Sequence, residues 1–248
     1  MDTTPILYSD LTPNAPRRGE SVGCNSQFMN RLVRSHPLTH SRFFNKFTSR
    51  NDLMHCLDHH GVWGRVFGST VWFVVSNDGV PTLGDTQQRR LDVINQLLAM
   101  WYKNEGSGVT ARIDRLNANS LVPAGTAHYA DLRGPTIKAA NTRQAMPFLA
   151  TLAEKHLTDN ENTDHLLIHR LVHHAIGFNH TLNMAGTFLT EIEQKEFATH
   201  TQGVGKYLQL LRHRAKTQNQ LLWHITPKSH YMQHFPAEAR LINPKAVQ

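Results

Sequence analysis

Cysteine is scarce in this chain. Of 248 residues only Cys24 and Cys56 carry a thiol, so no disulfide framework can staple the fold, and a reducing, intracellular compartment is favoured. One bridge between the two stays open on sequence grounds. Long apolar runs are missing as well. The best candidate, Val62 to Val75, is interrupted by Gly64, Arg65, Gly68 and Ser69 and falls short of the ~20 residues that cross a bilayer. It reads as a buried helix, and no membrane partner is expected. The opening Met1-Asp2-Thr3-Thr4-Pro5 lacks the basic-then-apolar order of a secretory signal.

Several reaction signatures are absent too. There is no Gly-x-Ser-x-Gly elbow, no P-loop and no Gly-x-Gly-x-x-Gly turn, and Gly203-Val204-Gly205-Lys206 is too short to cradle phosphate. Acid is in deficit: 19 Asp and Glu face 26 Lys and Arg, giving a net charge of +7 and a pI near 9.6. A polyanionic partner, most simply nucleic acid, follows from that balance, with a merely basic soluble surface as the alternative. The basic residues are scattered (Arg17-Arg18, Arg89-Arg90, Arg212/Arg214/Lys216) rather than gathered in a block. What the chain has in plenty is histidine, 17 in all, which makes the surface still more basic below neutral pH.

The composition, 40% hydrophobic and 18% charged, is that of a globular protein. The organisation reads as an extended arm over residues 1–25 followed by one mainly α domain over 26–248, an irregular helical bundle with few short strands. A short helix is expected over Cys24–His36. A long one should start at Asn51 or Asp52 and run through Val62–Phe67, with Val71–Val75 open to a strand reading. Asp85–Lys103 has Leu91, Ile94, Leu98 and Trp101 on one face. A short strand is expected around Ser120–Val122. Ile137–Leu157 reads as a helix broken or kinked at Pro147, Asp164–Phe188 and Glu191–Leu222 as two more. In the last, Ile192, Phe197, Val204, Leu208 and Leu211 should form the buried face. Thr226-Pro227 opens a final short helix.

The densest chemistry lies in Asp52-Leu53-Met54-His55-Cys56-Leu57-Asp58-His59-His60. On a helix Asp52, His55, Cys56 and His59 share one face, an arrangement suited to metal binding or proton transfer. Zinc is not expected here, since no Cys-x-x-Cys or His-Glu-x-x-His completes a ligand set; helix-start acids with packed or solvated histidines are the plainer reading. His165, His169 and His173 step by four and read as a solvated histidine face. His230 and His234 are also four apart, beside Tyr231 and Phe235, and read either as packing or as partners of Asp52.

Several phrases carry a resemblance: Leu11-Thr12-Pro13-Asn14-Ala15-Pro16-Arg17-Arg18, His36-Pro37-Leu38, Asp52-Leu53-Met54-His55 and Lys138-Ala139-Ala140-Asn141-Thr142-Arg143. Leu222-Trp223-His224-Ile225-Thr226-Pro227-Lys228-Ser229-His230 and Leu241-Ile242-Asn243-Pro244-Lys245 continue it. From about Leu11 to Lys245 the chain resembles a multicopy protein family of dinoflagellate algal genomes. More distantly it is similar to CACTA-type transposases of the DDE, RNase H-like class, in which an Asp-x-Met-His phrase precedes a helical region and a His-x-x-x-His phrase follows. The resemblance implies the helical part and partial core of such a transposase, a nuclear site of action and DNA as partner. It further implies catalytic roles for Asp52, His55, His230 and His234, with Asp52 and Asp58 as oxygen ligands for Mg²⁺ in phosphodiester transfer. It also implies a further acidic segment beyond Gln248, so the chain is expected to be a truncated, catalytically incomplete form that binds nucleic acid weakly. Two other readings stay open, a non-enzymatic helical interaction module and a histidine-rich metal-binding protein. The oligomeric state is not legible.

Overall fold

The structure, a computed structural model, describes residues 52–58, 61–76, 80, 83–122, 128–134 and 137–247. The expected arm over 1–25, the helix over 24–36, and His59 and His60 lie outside the described residues. Within them the chain is mainly helical and holds no strand. A π-helical turn, Met54–Asp58, precedes α1 (Val62–Val75), α2 (Gln87–Lys103), α3 (Ala118–Leu121) and α4 (Ala139–His156). Then come α5 (Thr163–Met184), α6 (Glu191–Thr217), α7 (Pro227–Met232), α8 (Phe235–Glu238) and a 3-10 turn, Pro244–Val247.

Helix α1 is the centre of the packing. It is apolar nearly all round, and such a helix is stable only when enclosed. The π-turn and helices α2, α3, α4 and α5 pack around it, burying every α1 residue except the half-buried Trp72. Trp63 meets Phe178 edge-on at 5.4 Å, and Phe67 lies 6.5 Å from Phe148. Val71–Val75 is helix, not strand. Continuing the helix satisfies each amide within the segment, whereas a strand would need a neighbouring ladder that the packed helices do not offer.

Gly64 and Gly68 sit one turn apart on α1, and the segment 130–133 crosses the helix there. A methyl group on Gly68 would stand 2.5 Å from Leu132 N and 2.6 Å from the Asp131 carbonyl carbon. Backbone buried outside regular structure must find partners, and this segment finds them all around it. Ala130, Asp131, Leu132 and Arg133 donate their amides to the carbonyls of Leu221, Leu121, Gly64 and Ser120 at 2.7–2.9 Å. The Ser69 hydroxyl donates to the Ala130 carbonyl and accepts from Trp223 N.

Several boundaries differ from the sequence reading, each for a local reason. The helix expected to run on from Asp52 is interrupted at Gly61, where a Cβ would lie 2.4 Å from the Cys56 and Leu57 carbonyl groups. Only glycine lets the chain fold back so closely on the π-turn. The strand expected at Ser120–Val122 is instead the single turn α3, held by reciprocal capping between Asn117 and Ser120. Helix α4 continues through Pro147, which faces outward. Helix α5 starts at an Asn162 cap and ends before Phe188, which is exposed. Helix α6 begins at a Thr190–Glu193 capping box and stops at Thr217. There Asn219 adopts φ 60°, and Asn219 N and Gln220 N bond back to the Lys216 and Ala215 carbonyls, a Schellman ending. Phe197, Val204, Leu208 and Leu211 are buried as expected, but Ile192 is exposed because it lies in the first turn, ahead of the helix partner.

Candidate functional site

Asp52 and His55 form a small exposed unit. The Asp52 carboxylate accepts from His55 N at 3.0 Å and pairs with His55 Nδ1 at 2.7 Å. Partial burial works to raise the Asp52 carboxyl, but the backbone and ring of His55 and the Met54 amide outweigh it and hold it below its ordinary value. The neighbouring residues turn inward. Leu53, Cys56, Leu57 and Asp58 are buried, so the face that would unite Asp52, His55 and Cys56 is divided between solvent and core.

Asp58 does not join Asp52. Its carboxylate is enclosed, and Arg143 Nη1 of α4 approaches Oδ2 at 3.0 Å without forming an aligned hydrogen bond. Burial pushes this carboxyl up to about 7 against the pull of Arg143, with Asp52 adding to the rise. Cys56 is a free thiol, and Cys24, the bridge partner that the sequence left open, lies outside the described residues. Burial pushes the Cys56 thiol up to about 11; Lys228 opposes the rise, and Asp52 and Glu238 add to it. A thiol that stays protonated at neutral pH is no nucleophile.

His230 and His234 are brought together. Both are buried, their rings are edge to face with centroids 4.9 Å apart, and their Nε2 atoms stand 3.3 Å from each other. Helix α7, opened by Pro227 as expected, packs against the π-turn. The elements carrying Asp52 and His230 are therefore neighbours. Asp52 nevertheless spends its hydrogen bonds on His55, and no bond joins it to either imidazole among the described residues.

The expected histidine face on α5 is divided among separate tasks. His165 is buried edge-on against Phe73 at 6.0 Å. His169 Nε2 meets the Leu157 carbonyl at the end of α4, 2.9 Å away. His173 is exposed. A single solvated stripe is not what forms, because helical neighbours on either side capture two of the three rings.

A gathering of charge among the described residues involves positions that sequence reading did not select as a site. Asp131 is wholly buried where segment 130–133 crosses α1. Its Oδ2 accepts a hydrogen bond from Arg133 Nε at 3.0 Å and pairs with Arg133 Nη2 at the same distance, with Arg65 Nε at 3.9 Å. Beside this pair the Tyr129 ring stacks on His224 at 4.1 Å with planes 8° apart. Arg212 lies over the same ring, 4.7 Å from its centroid, and donates to its hydroxyl. Burial, Arg65 and Arg212 hold His224 below its ordinary value; Asp131 opposes them and Arg133 adds to them. Lys228 lies within electrostatic reach of Arg65, Cys56, Asp131 and Asp52, and burial and Arg65 lower it. It links this cluster to the Asp52 turn. One signal was visible in advance: Arg65 inside an apolar helix demands a buried partner. Nothing local says that the partner is Asp131.

Magnesium fits these residues poorly. It requires several oxygen ligands around one point, but Asp52 is turned to His55 and Asp58 to Arg143, and Lys228 sits nearby. Among the described residues no three Asp, Glu, His or Cys groups stand together in a way that holds a metal ion. Nor do the described residues contain the β-sheet on which an RNase H-like core is built. No described helix is long and apolar enough to cross a membrane. No known protein family, curated protein or solved structure matches this chain.

Proposed function

We propose that this chain is a mobile-element-derived helical protein that binds nucleic acid through phosphate contacts at the Arg133–Arg212–Lys228 cluster, without carrying out strand transfer in the form described. The carrying observation is the Tyr129–His224 stack capped by Arg212, set beside Arg133 and Lys228. Arginines crowded around a single buried carboxylate leave positive charge over, and partly exposed guanidinium groups are good phosphate donors. The Tyr129 ring is already stacked and bonded, so this patch offers phosphate contact rather than a platform for bases. Such binding is weak and follows backbone charge more than sequence. The transposase resemblance supplies the origin and a DNA partner for this reading. The two-metal reaction is not part of it, because the described carboxylates do not converge.

Fluorescence anisotropy with single- and double-stranded oligonucleotides tests the reading. Affinity should fall steeply with salt, and Arg212→Gln and Lys228→Gln should each lower the slope of log K against log salt by about 1. Proton linkage gives a second mark. His224 is held below its ordinary value in the free protein, and a bound phosphate favours its cationic form. Binding should therefore take up a proton and strengthen as pH falls from 7 toward 5, a trend lost in His224→Gln. Absence of binding at low salt, or variants with unchanged slopes, contradicts the proposal.

A further inference from the structure

Leu166, Arg170, His173, Gly177 and His180 recur along α5 at steps of three and four residues, which places them on one side of the helix. Facing this stripe, α4 offers Ala150 and Ala153, whose side chains end at a methyl group. Helices pack densely only where side chains fill the space between them, and here alanine leaves it unfilled. The result is a cavity of about 670 Å³ between α4 and α5, to which α6 contributes His200. Gly177 is what admits that ring, since a Cβ there would come within 2.2–2.5 Å of it. His200 Nδ1 is held 3.2 Å from His174 Nδ1. Burial and then His173 lower His200, with Glu196 opposing and His180 adding, so the ring is neutral at neutral pH.

The volume lies within the range of small-molecule sites, about 300–1,000 Å³. At 1.5 Å per residue the stripe from Leu166 to His180 extends about 21 Å along α5, so the space is long rather than round. Its apolar lining is aliphatic, made by Ala150, Ala153, Leu166, Val172 and Ile176. Among the described residues that line it there is no phenyl, phenol or indole ring. Both features favour an extended hydrocarbon chain over a flat ring.

The charged groups decide the head. Arg170 is the one guanidinium or ammonium in the lining and Glu154 the one carboxylate. A guanidinium has donors and no acceptor, in a fork that matches the two oxygens of a carboxylate. His169 is already committed, its Nε2 meeting the Leu157 carbonyl at 2.9 Å. Arg170 therefore balances one negative charge on a ligand. A second would face Glu154 with no further fixed cation to offset it. We infer that the cavity between α4 and α5 binds a medium-chain aliphatic monocarboxylate, its head on Arg170 and its chain along Val172, Ile176 and the two alanines. This site is separate from the phosphate-contact cluster, and neither reading depends on the other.

Isothermal titration of the full chain with dodecanoate at pH 7.5, below its micelle concentration, tests the site. One equivalent should bind, with a dissociation constant on the order of 100 μM for a ligand of this size, and should raise the melting temperature. Dodecylamine and dodecanol, with the same chain and no carboxylate, should bind at least about 10-fold more weakly, the worth of a charge-assisted hydrogen bond. Arg170→Gln, at an exposed position, should lose affinity for dodecanoate by a similar factor. Ala150→Leu, at a half-buried position, should abolish binding by filling the space, with the melting temperature of the free protein unchanged. Arg212→Gln, in the phosphate-contact cluster, should bind dodecanoate as wild type does. No binding by the wild-type chain, or uptake of several equivalents, would overturn the assignment. So would equal affinity for dodecylamine, unchanged affinity in Arg170→Gln or Ala150→Leu, or loss of binding in Arg212→Gln.

Discussion

Gly68→Ala is expected to remove about 3 kcal/mol of folding free energy, the upper end of the usual cost of overpacking. The added methyl would stand 2.5–2.7 Å from the Leu132 amide nitrogen and from the Asp131 backbone. These are backbone atoms, tied by hydrogen bonds to α1 and α3, so they cannot rotate aside as a long side chain does. Relief requires moving the whole crossing segment, which carries Asp131 and Arg133. The loss should therefore appear twice, as a lower urea midpoint and as weaker oligonucleotide binding near the midpoint. Gly108→Ala is the internal control, since nothing lies within 4 Å of the added carbon. It should leave the midpoint unchanged or raise it slightly. Equal midpoints for Gly68→Ala and wild type would mean that the crossing is not as close as described.

The second large effect concerns the Asp58–Arg143 pair and depends on pH. Burial lifts the Asp58 carboxyl from 3.8 to about 7, so the folded state holds its proton more tightly than the unfolded chain does. Stability from this group is complete below pH 4 and is lost as pH rises toward 7. At about 1.4 kcal/mol per pH unit the loss reaches roughly 4 kcal/mol at most. Asp58→Asn should therefore be more stable than wild type at pH 8, by about 2 kcal/mol once the amide's own imperfect bonding is counted, and no more stable at pH 4. Arg143→Ala should be the reverse. At pH 8 it leaves a buried carboxylate without its counter-charge and should cost about 3 kcal/mol; at pH 4 the cost should shrink to the lost packing of the arginine stem. Denaturant melts of the three proteins at both pH values measure this. A pH-independent difference would show that Asp58 is ionised and solvated in the folded protein.

The helical architecture was legible in the sequence where local physics acts alone. The apolar repeat of α2 and Pro227 at the start of α7 are read from neighbouring residues, and each stands where it was expected. What failed depended on contacts from afar. Gly61 breaks the first helix because the π-turn folds back on it. His165 and His169 leave the α5 stripe because Phe73 and the Leu157 carbonyl reach them.

The candidate site shows the same division. His230 and His234 pair because they are four apart on the sequence, but Asp52 stays with His55, three residues away. Asp131, Arg65 and Arg212 come from three distant segments, joined only by the crossing at Gly64 and Gly68. A spacing rule within one helix finds none of them. His200 of α6 fits over Gly177 of α5, and His174 of α5 over Gly203 of α6, a fit that becomes legible only once α5 and α6 are known to run side by side.

Hydrogen exchange on the full chain, with and without a saturating oligonucleotide at low salt, tests the proposed polyanion contact most directly. Protection is expected in residues 128–134 and 222–230, around Tyr129, Arg133, His224 and Lys228, and it should vanish together with binding in Arg212→Gln. Protection spread evenly over the basic surface, or confined to α2 around Arg89 and Arg90, would show that the phosphate-contact cluster is not where nucleic acid binds.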